Sequence, residues 1–234
     1  MNVYNQEKTK RVNSVFNKVY KKYDLMNDIM SLGIHRIWKK NLVSWMNPQL
    51  GNKIIDVASG TGDLAKIISE KNNNQNNIFC VEPNQGMSET GVEKLKSFKN
   101  IKWVLCSSEK LPFKENTFDF YTISYGIRNV TNINQCLKEA FRVLKPGGRF
   151  FCLEFSKVEN KILNLLYQNY SKLIPLFGKV IVGSSDPYEY LISSIDEFYD
   201  QYELKELMKK NQFSNVQFRN LSNGVSAIHS GWKI

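Results

Sequence analysis

The chain has 234 residues, 42% of them hydrophobic, and a formal net charge of +10. That length buries a core of its own, so one domain is expected, with a helical N-terminal part at 1–50 belonging to the same domain as 51–234. Composition excludes a disulfide framework or structural zinc: Cys80, Cys106, Cys136 and Cys152 lie scattered in apolar patterns, with no Cys-x-x-Cys and only two histidines.

The first fifty residues read as helices. One face carries Val12, Val15, Phe16, Val19 and Tyr20, and the stretch 35–46 carries Ile37, Trp38, Leu42, Val43 and Trp45. They are expected to form a lid or flank. The region is basic: residues 1–53 hold ten Lys/Arg against three Asp/Glu. Such a face suits anionic lipid headgroups or nucleic acid, but it lacks the basic and aromatic alternation of a stacking platform, so no nucleic acid is expected. It has no apolar leader core, and no stretch of the chain offers the roughly twenty apolar residues of a membrane span.

An apolar strand at 53–57 runs into Ala58-Ser59-Gly60-Thr61-Gly62 and then into a helix whose buried face is Leu64, Ala65, Ile67 and Ile68. Gly60 and Gly62 let the backbone turn tightly and approach a ligand. The next strand, 78–82, ends on Glu82, twenty residues after Gly62, where a carboxylate can accept both hydroxyls of an adenosine ribose. Asp56 and Asp63 flank the glycines. Acids there would repel a phosphate at the helix N-terminus, and they suit the sulfonium and amino group of S-adenosylmethionine.

A helix at 87–98, strands at 101–106 and 117–124, a helix at 133–144 stopped by Lys145-Pro146-Gly147-Gly148, and a strand at 149–155 continue the βαβ series. Helices at about 160–178 and 188–210 follow, and 216–221 and 225–230 read as an antiparallel pair closing the sheet. Ligands of such sheets lie beyond the carboxyl ends of the strands. Ser107 and Ser108 are therefore candidates for the adenine amine, against the plainer reading of an ordinary turn. In Ser124-Tyr125-Gly126-Ile127-Arg128-Asn129 an arginine and an amide stand where the donor's sulfur should point. Arg128 is the sharpest catalytic candidate, the alternative being a salt bridge to Asp24 or Asp28. His35 and His229 are read as structural.

The chain resembles the ubiquinone/menaquinone C-methyltransferases nearly end to end. The resemblance is carried by Tyr23-Asp24-Leu25-Met26-Asn27-Asp28, Gly33-Ile34-His35-Arg36-Ile37-Trp38-Lys39, the glycine turn, Arg128-Asn129-Val130-Thr131, Arg142 to Arg149 around Lys145-Pro146-Gly147-Gly148, and Leu153-Glu154-Phe155-Ser156. It implies a Rossmann-like α/β fold with a seven-stranded class I methyltransferase sheet, helices on both faces and an N-terminal helical lid. It also implies methyl transfer from S-adenosylmethionine to a ring carbon of a polyprenylated quinol. By position Asp56, Gly60, Thr61, Gly62, Glu82, Ser107, Ser108 and Ser124 hold the donor. Arg128, Asn129 and Tyr23 act at the acceptor, where Arg128 stabilises the developing phenolate and a water relays the proton. The family's usual residue at Glu82 is aspartate, and Ser107 replaces a frequent asparagine. The apolar stretch with Leu163, Leu166, Tyr170 and Phe177 is a candidate wall for the prenyl tail, against the plainer reading of a helix packed into the core. A cytoplasmic protein touching the inner face of an anionic membrane is expected, alone, as a homodimer or in a quinone-biosynthesis complex. Other classes stay open: an RNA methyltransferase of the same fold, a nicotinamide oxidoreductase, which Asp56 argues against, and a scaffold that binds no donor.

Overall fold

The computed structural model describes residues 3–20, 25, 27, 28, 31–160 and 186–234. The helix expected at about 160–178 falls almost wholly outside them, as does Tyr23. Two helices lead, α1 (Val3–Val19) and α2 (His35–Met46). Strands and helices then alternate through β1 (Lys53–Val57), α3 (Asp63–Lys71), β2 (Asn77–Val81), α4 (Gln85–Lys94) and β3 (Ile101–Val104). The series continues with β4 (Phe118–Ser124), α5 (Ile133–Val143) and β5 (Leu144–Phe155). Beyond residue 185 come α6 (Asp186–Asp196), α7 (Gln201–Lys210), β6 (Ser214–Leu221) and β7 (Ser226–Trp232).

The seven strands make one sheet in the order β3-β2-β1-β4-β5-β7-β6. The first five are parallel, and β7 inserts antiparallel to both β5 and β6. Parallel strands are covered on both faces, which is why 54–57 is a continuous apolar run broken only by Asp56. Trp38, Leu42, Val43, Leu64, Ile68, Leu191 and Ile195 from α2, α3 and α6 pack one face. Leu137, Ala140, Val143, Leu204 and Met208 from α5 and α7 pack the other. Three cysteines are buried in this core and Cys106 is half-buried, all as free thiols. Among the described residues no helix is long and apolar enough to cross a membrane.

Two expected boundaries move. The single helix at 188–210 is two helices, because Asp200 starts α7 with a capping box: its carboxylate accepts from the amides of Tyr202 and Glu203 while Glu203 accepts from the Asp200 amide. The glycine turn at 145–148 does not precede β5 but lies within it. Leu144 already pairs with Phe118, and the register shifts before Arg149 pairs with Phe120.

Candidate active site

Strands β1, β2 and β4 end side by side, with Asp56 in register with Cys80 and Thr122. The residues that leave β1 and β4, Ala58 (φ 52°) and Tyr125 (φ 56°), both adopt the left-handed conformation. Such backbone costs a non-glycine residue on the order of 1–3 kcal/mol and persists where the surroundings enforce it. Gly126 allows the two turns to meet, since a Cβ there would lie 2.5 Å from that of Ala58. The junction sits where the strand order reverses, the position at which open α/β sheets bind ligands. Two cavities share Ala58 and Tyr125 as walls.

The larger, about 180 Å³, is lined by Gly60, Glu82, Ser107, Ser108, Met87 and Asn129, with Thr9, Val12 and Phe16 of α1 across it. Glu82 accepts the amide of Gly60 at 2.9 Å on one oxygen and that of Asn84 at 3.0 Å on the other. Burial pushes its carboxyl up to about 7 against these two bonds. Each oxygen retains a second lone pair for a ligand hydroxyl. The Ser107 hydroxyl donates to Glu109 at 2.5 Å, so it shapes its own loop while lining the cavity. Asn129 accepts the Tyr190 hydroxyl at 2.9 Å. Helix α1 is tied over the cavity by Lys8, which donates to the Val130 carbonyl at 2.7 Å, and by hydroxyl contact between Thr9 and Thr131 at 2.7 Å.

The smaller recess is lined by Lys39, Asp56, Ser59, Thr61, Asp63 and Ser124, among others. Asp56 is 1% exposed. Its Oδ1 accepts the Thr122 hydroxyl at 2.7 Å, while its Oδ2 and the Ser124 Oγ have no hydrogen-bond partner. Burial pushes the Asp56 carboxyl up to about 7, opposed by Thr122 and by the charge of Lys39. Burial acts on Asp63 too, but Lys39 and Lys94 overcome it and hold that carboxyl at about 2. Thr61 accepts from Lys94 at 3.3 Å. Gly62, at φ +84°, is the N-cap of α3, and a Cβ there would strike Leu95 at 2.6 Å.

Arg128 points elsewhere. Its Nη1 lies 2.7 Å from Glu154 Oε1 and donates to the Tyr125 carbonyl at 2.8 Å, both side chains being buried. It lines a third cavity of about 480 Å³ with Arg11, Tyr190, Phe198 and Tyr199. Of the alternative pairing with Asp24 or Asp28, the one with Asp28 does not form: Arg128 pairs with Glu154, and Asp28 is bound by Nε and Nη2 of Arg36 at 2.9 and 2.8 Å, while Asp24 lies outside the described residues. The structure thus gathers Asp56, Gly60, Thr61, Glu82, Ser107, Ser108, Ser124 and Asn129 around the two neighbouring cavities and sets Arg128 behind Asn129. Lys39, Thr122, Glu154 and Tyr190 carry weight that sequence reasoning did not give them. Glu154 carried a signal, a charged residue in an otherwise apolar run, whereas Lys39 sits in a basic helix and carried none.

Residues 3–233 match the model of the ubiE/COQ5 methyltransferase family. The ubiquinone/menaquinone biosynthesis C-methyltransferase UbiE of Brucella suis biovar 1 (strain 1330) is 46% identical over 234 residues, 97% of this chain and 87% of its own. The protein of that name from Rickettsia prowazekii (strain Madrid E) is 46% identical over 230 residues, covering 95% and 92%. Among solved structures, an S-adenosylmethionine-dependent methyltransferase of Thermotoga maritima superposes with a TM-score of 0.69 at 20% identity, over 95% of this chain and 100% of that one. Phosphoethanolamine N-methyltransferase 2 of Haemonchus contortus, in complex with S-adenosyl-L-methionine, gives 0.61 at 12% identity, over 84% and 52%. The fold is the Rossmann-like fold of these enzymes.

Proposed function

The chain belongs to the ubiE/COQ5 methyltransferase family, and on that premise we propose that it methylates a ring carbon of a polyprenylated quinol, a methoxybenzoquinol or a demethylmenaquinol, in ubiquinone or menaquinone biosynthesis. The observation that carries the reading is the pair of neighbouring cavities: an acid held by two backbone amides in one, and a buried acid with an unsatisfied oxygen in the other. These residues fit a ligand with ribose hydroxyls at one end and an ammonium at the other. S-adenosylmethionine supplies a methyl group already activated by its sulfonium. Glu82 accepts the ribose hydroxyls, Ser108 and the 107–109 loop border the adenine, and Asp56 faces the ammonium.

The acceptor ring lies over Gly126 and Asn129 beneath α1. In that pose Thr9, Val12 and Phe16 exclude water from the displacement, and the Asn129 amide donates to a ring oxygen. Arg128 and Glu154 fix the turn that presents Asn129, with the guanidinium held away from the ring by its pairing with Glu154. Tyr23 takes its place at the acceptor from its motif alone. A polyprenyl acceptor resides in a bilayer. Leu32, Ile34 and Ile37 are each exposed just before and within α2, and so is Leu25 earlier in the chain, and we infer that the start of α2, with its neighbouring Lys40, meets anionic lipid.

The test is direct. The purified enzyme with isotopically labelled S-adenosylmethionine and a short-chain benzoquinol or naphthoquinol should yield a ring-methylated product by mass spectrometry. Transfer to RNA, with neither quinol methylated, would overturn the assignment.

A further inference from the structure

We propose that Lys39 binds the carboxylate of the methyl donor's amino-acid end, across the recess from an ammonium site at Asp56; the inference rests on the donor placement proposed above. Lys39 is 7% exposed, and its Nζ lies 3.4 Å from one oxygen of Asp63. The other Asp63 oxygen is taken by Lys94 at 2.6 Å. One carboxylate therefore carries two cations, and the nearer one already neutralises it. Lys39, the single cation among the described residues lining the recess, is held by the longer of the two contacts.

Lining the same recess are two buried polar atoms with no hydrogen-bond partner, Asp56 Oδ2 and Ser124 Oγ, at the ends of their strands. A buried cation facing an unsatisfied carboxylate oxygen and hydroxyl is the complement of a zwitterion: carboxylate to Lys39, ammonium to Asp56. The recess measures about 10 Å³, scarcely the room of one water. A ligand group enters it only if a wall gives way. Lys39, on a flexible stem and in the longer contact, is that wall, and Lys94 keeps Asp63 paired when Lys39 swings. Ala58 and Tyr125 line both this recess and the Glu82 cavity, so an adenosine joined through sulfur to an amino acid spans the two.

Isothermal titration separates this role from a structural one. Wild type and Lys39→Met are titrated with S-adenosylhomocysteine, with decarboxylated S-adenosylhomocysteine, which differs from it only by the carboxylate, and with 5′-methylthioadenosine, which lacks the amino-acid end. Wild type should prefer S-adenosylhomocysteine to the decarboxylated probe by about tenfold or more, a comparison that needs no variant. Lys39→Met should lose about tenfold on S-adenosylhomocysteine and stay within about twofold on the other two. Equal losses on all three probes, retained affinity for S-adenosylhomocysteine, or a wild type indifferent to the carboxylate would each overturn the proposal. Glu82→Ala in the same titrations distinguishes failure of the underlying placement: it weakens all three probes if adenosine lies at Glu82, and none if the donor lies elsewhere.

Discussion

Glu82 holds its cofactor-facing geometry through the Gly60 and Asn84 amides, so its removal strips the ribose of an acceptor and leaves two buried N–H groups unpaired. Glu82→Ala should weaken S-adenosylhomocysteine by about tenfold or more in calorimetry, and Glu82→Asp should retain most of the affinity. Unchanged binding in Glu82→Ala would remove the ribose from this site. Asp56 can be read through protons. Both acids sit at about 7 when folded, above unfolded values near 4, so the native state binds the extra protons and their contribution to stability falls as pH rises from about 4 to 7. His35 and His229, pushed down to about 4 by burial, run the other way and lose stability as pH falls from about 6.5 to 4. The two pairs offset in a melting curve, so binding is the better observable. An ammonium beside Asp56 lowers its pKa, and donor binding near pH 6.5 should release up to about one proton, seen as a buffer-dependent enthalpy that Asp56→Asn removes. A buffer-independent enthalpy in the wild type at that pH would show Asp56 already ionised. Arg128 needs two substitutions. Arg128→Ala alone strands a buried Glu154 and should cost about 3–5 kcal/mol, whereas Arg128→Met with Glu154→Gln removes both charges. If that folded double variant binds donor normally yet turns over about a hundredfold more slowly, the guanidinium acts on the acceptor; near-normal turnover reduces it to a brace for the turn.

At the scale of elements, the capping box at Asp200 makes a prediction independent of the chemistry. Asp200→Ala should lower unfolding free energy by about 1 kcal/mol in urea and leave donor affinity unchanged. The same box explains what was legible in the sequence. Strands 53–57 and 78–82 announced themselves as apolar runs with an acid at or next to their last residue, and the sheet rule then pointed to the strand ends that carry Ser107, Ser124 and Asn129. The helix at 188–210 was read through its break because apolar spacing continues across it, although Asp200-Gln201-Tyr202-Glu203 spells the cap locally. The Arg128 partner was not legible in the same way. Glu154 lies 26 residues on, at the end of another strand, and only the β4 to β5 register brings the two together. Lys39 was hidden for a similar reason: a lysine on an amphipathic helix looks solvated until α2 packs it against the start of α3.

For the whole molecule, the uneven charge and the exposed Leu25, Leu32, Ile34 and Ile37 lead to one surface experiment. Co-sedimentation with anionic vesicles should fall as ionic strength rises, and Leu32→Ser with Ile37→Ser should weaken it without altering affinity for S-adenosylhomocysteine. Equal binding to neutral and anionic vesicles would reject the electrostatic part. The position of β7 between β5 and β6 bears on how the protein is made. A ribosome delivers β6 before the strand that connects it to the sheet, and β5 waits about 70 residues for its neighbour. At ordinary elongation rates that is roughly 4–14 s during which five parallel strands carry an open edge. The nascent chain is most in need of a chaperone in that interval, and slow codons between 155 and 226 would lower its yield even though they change no residue of the finished enzyme.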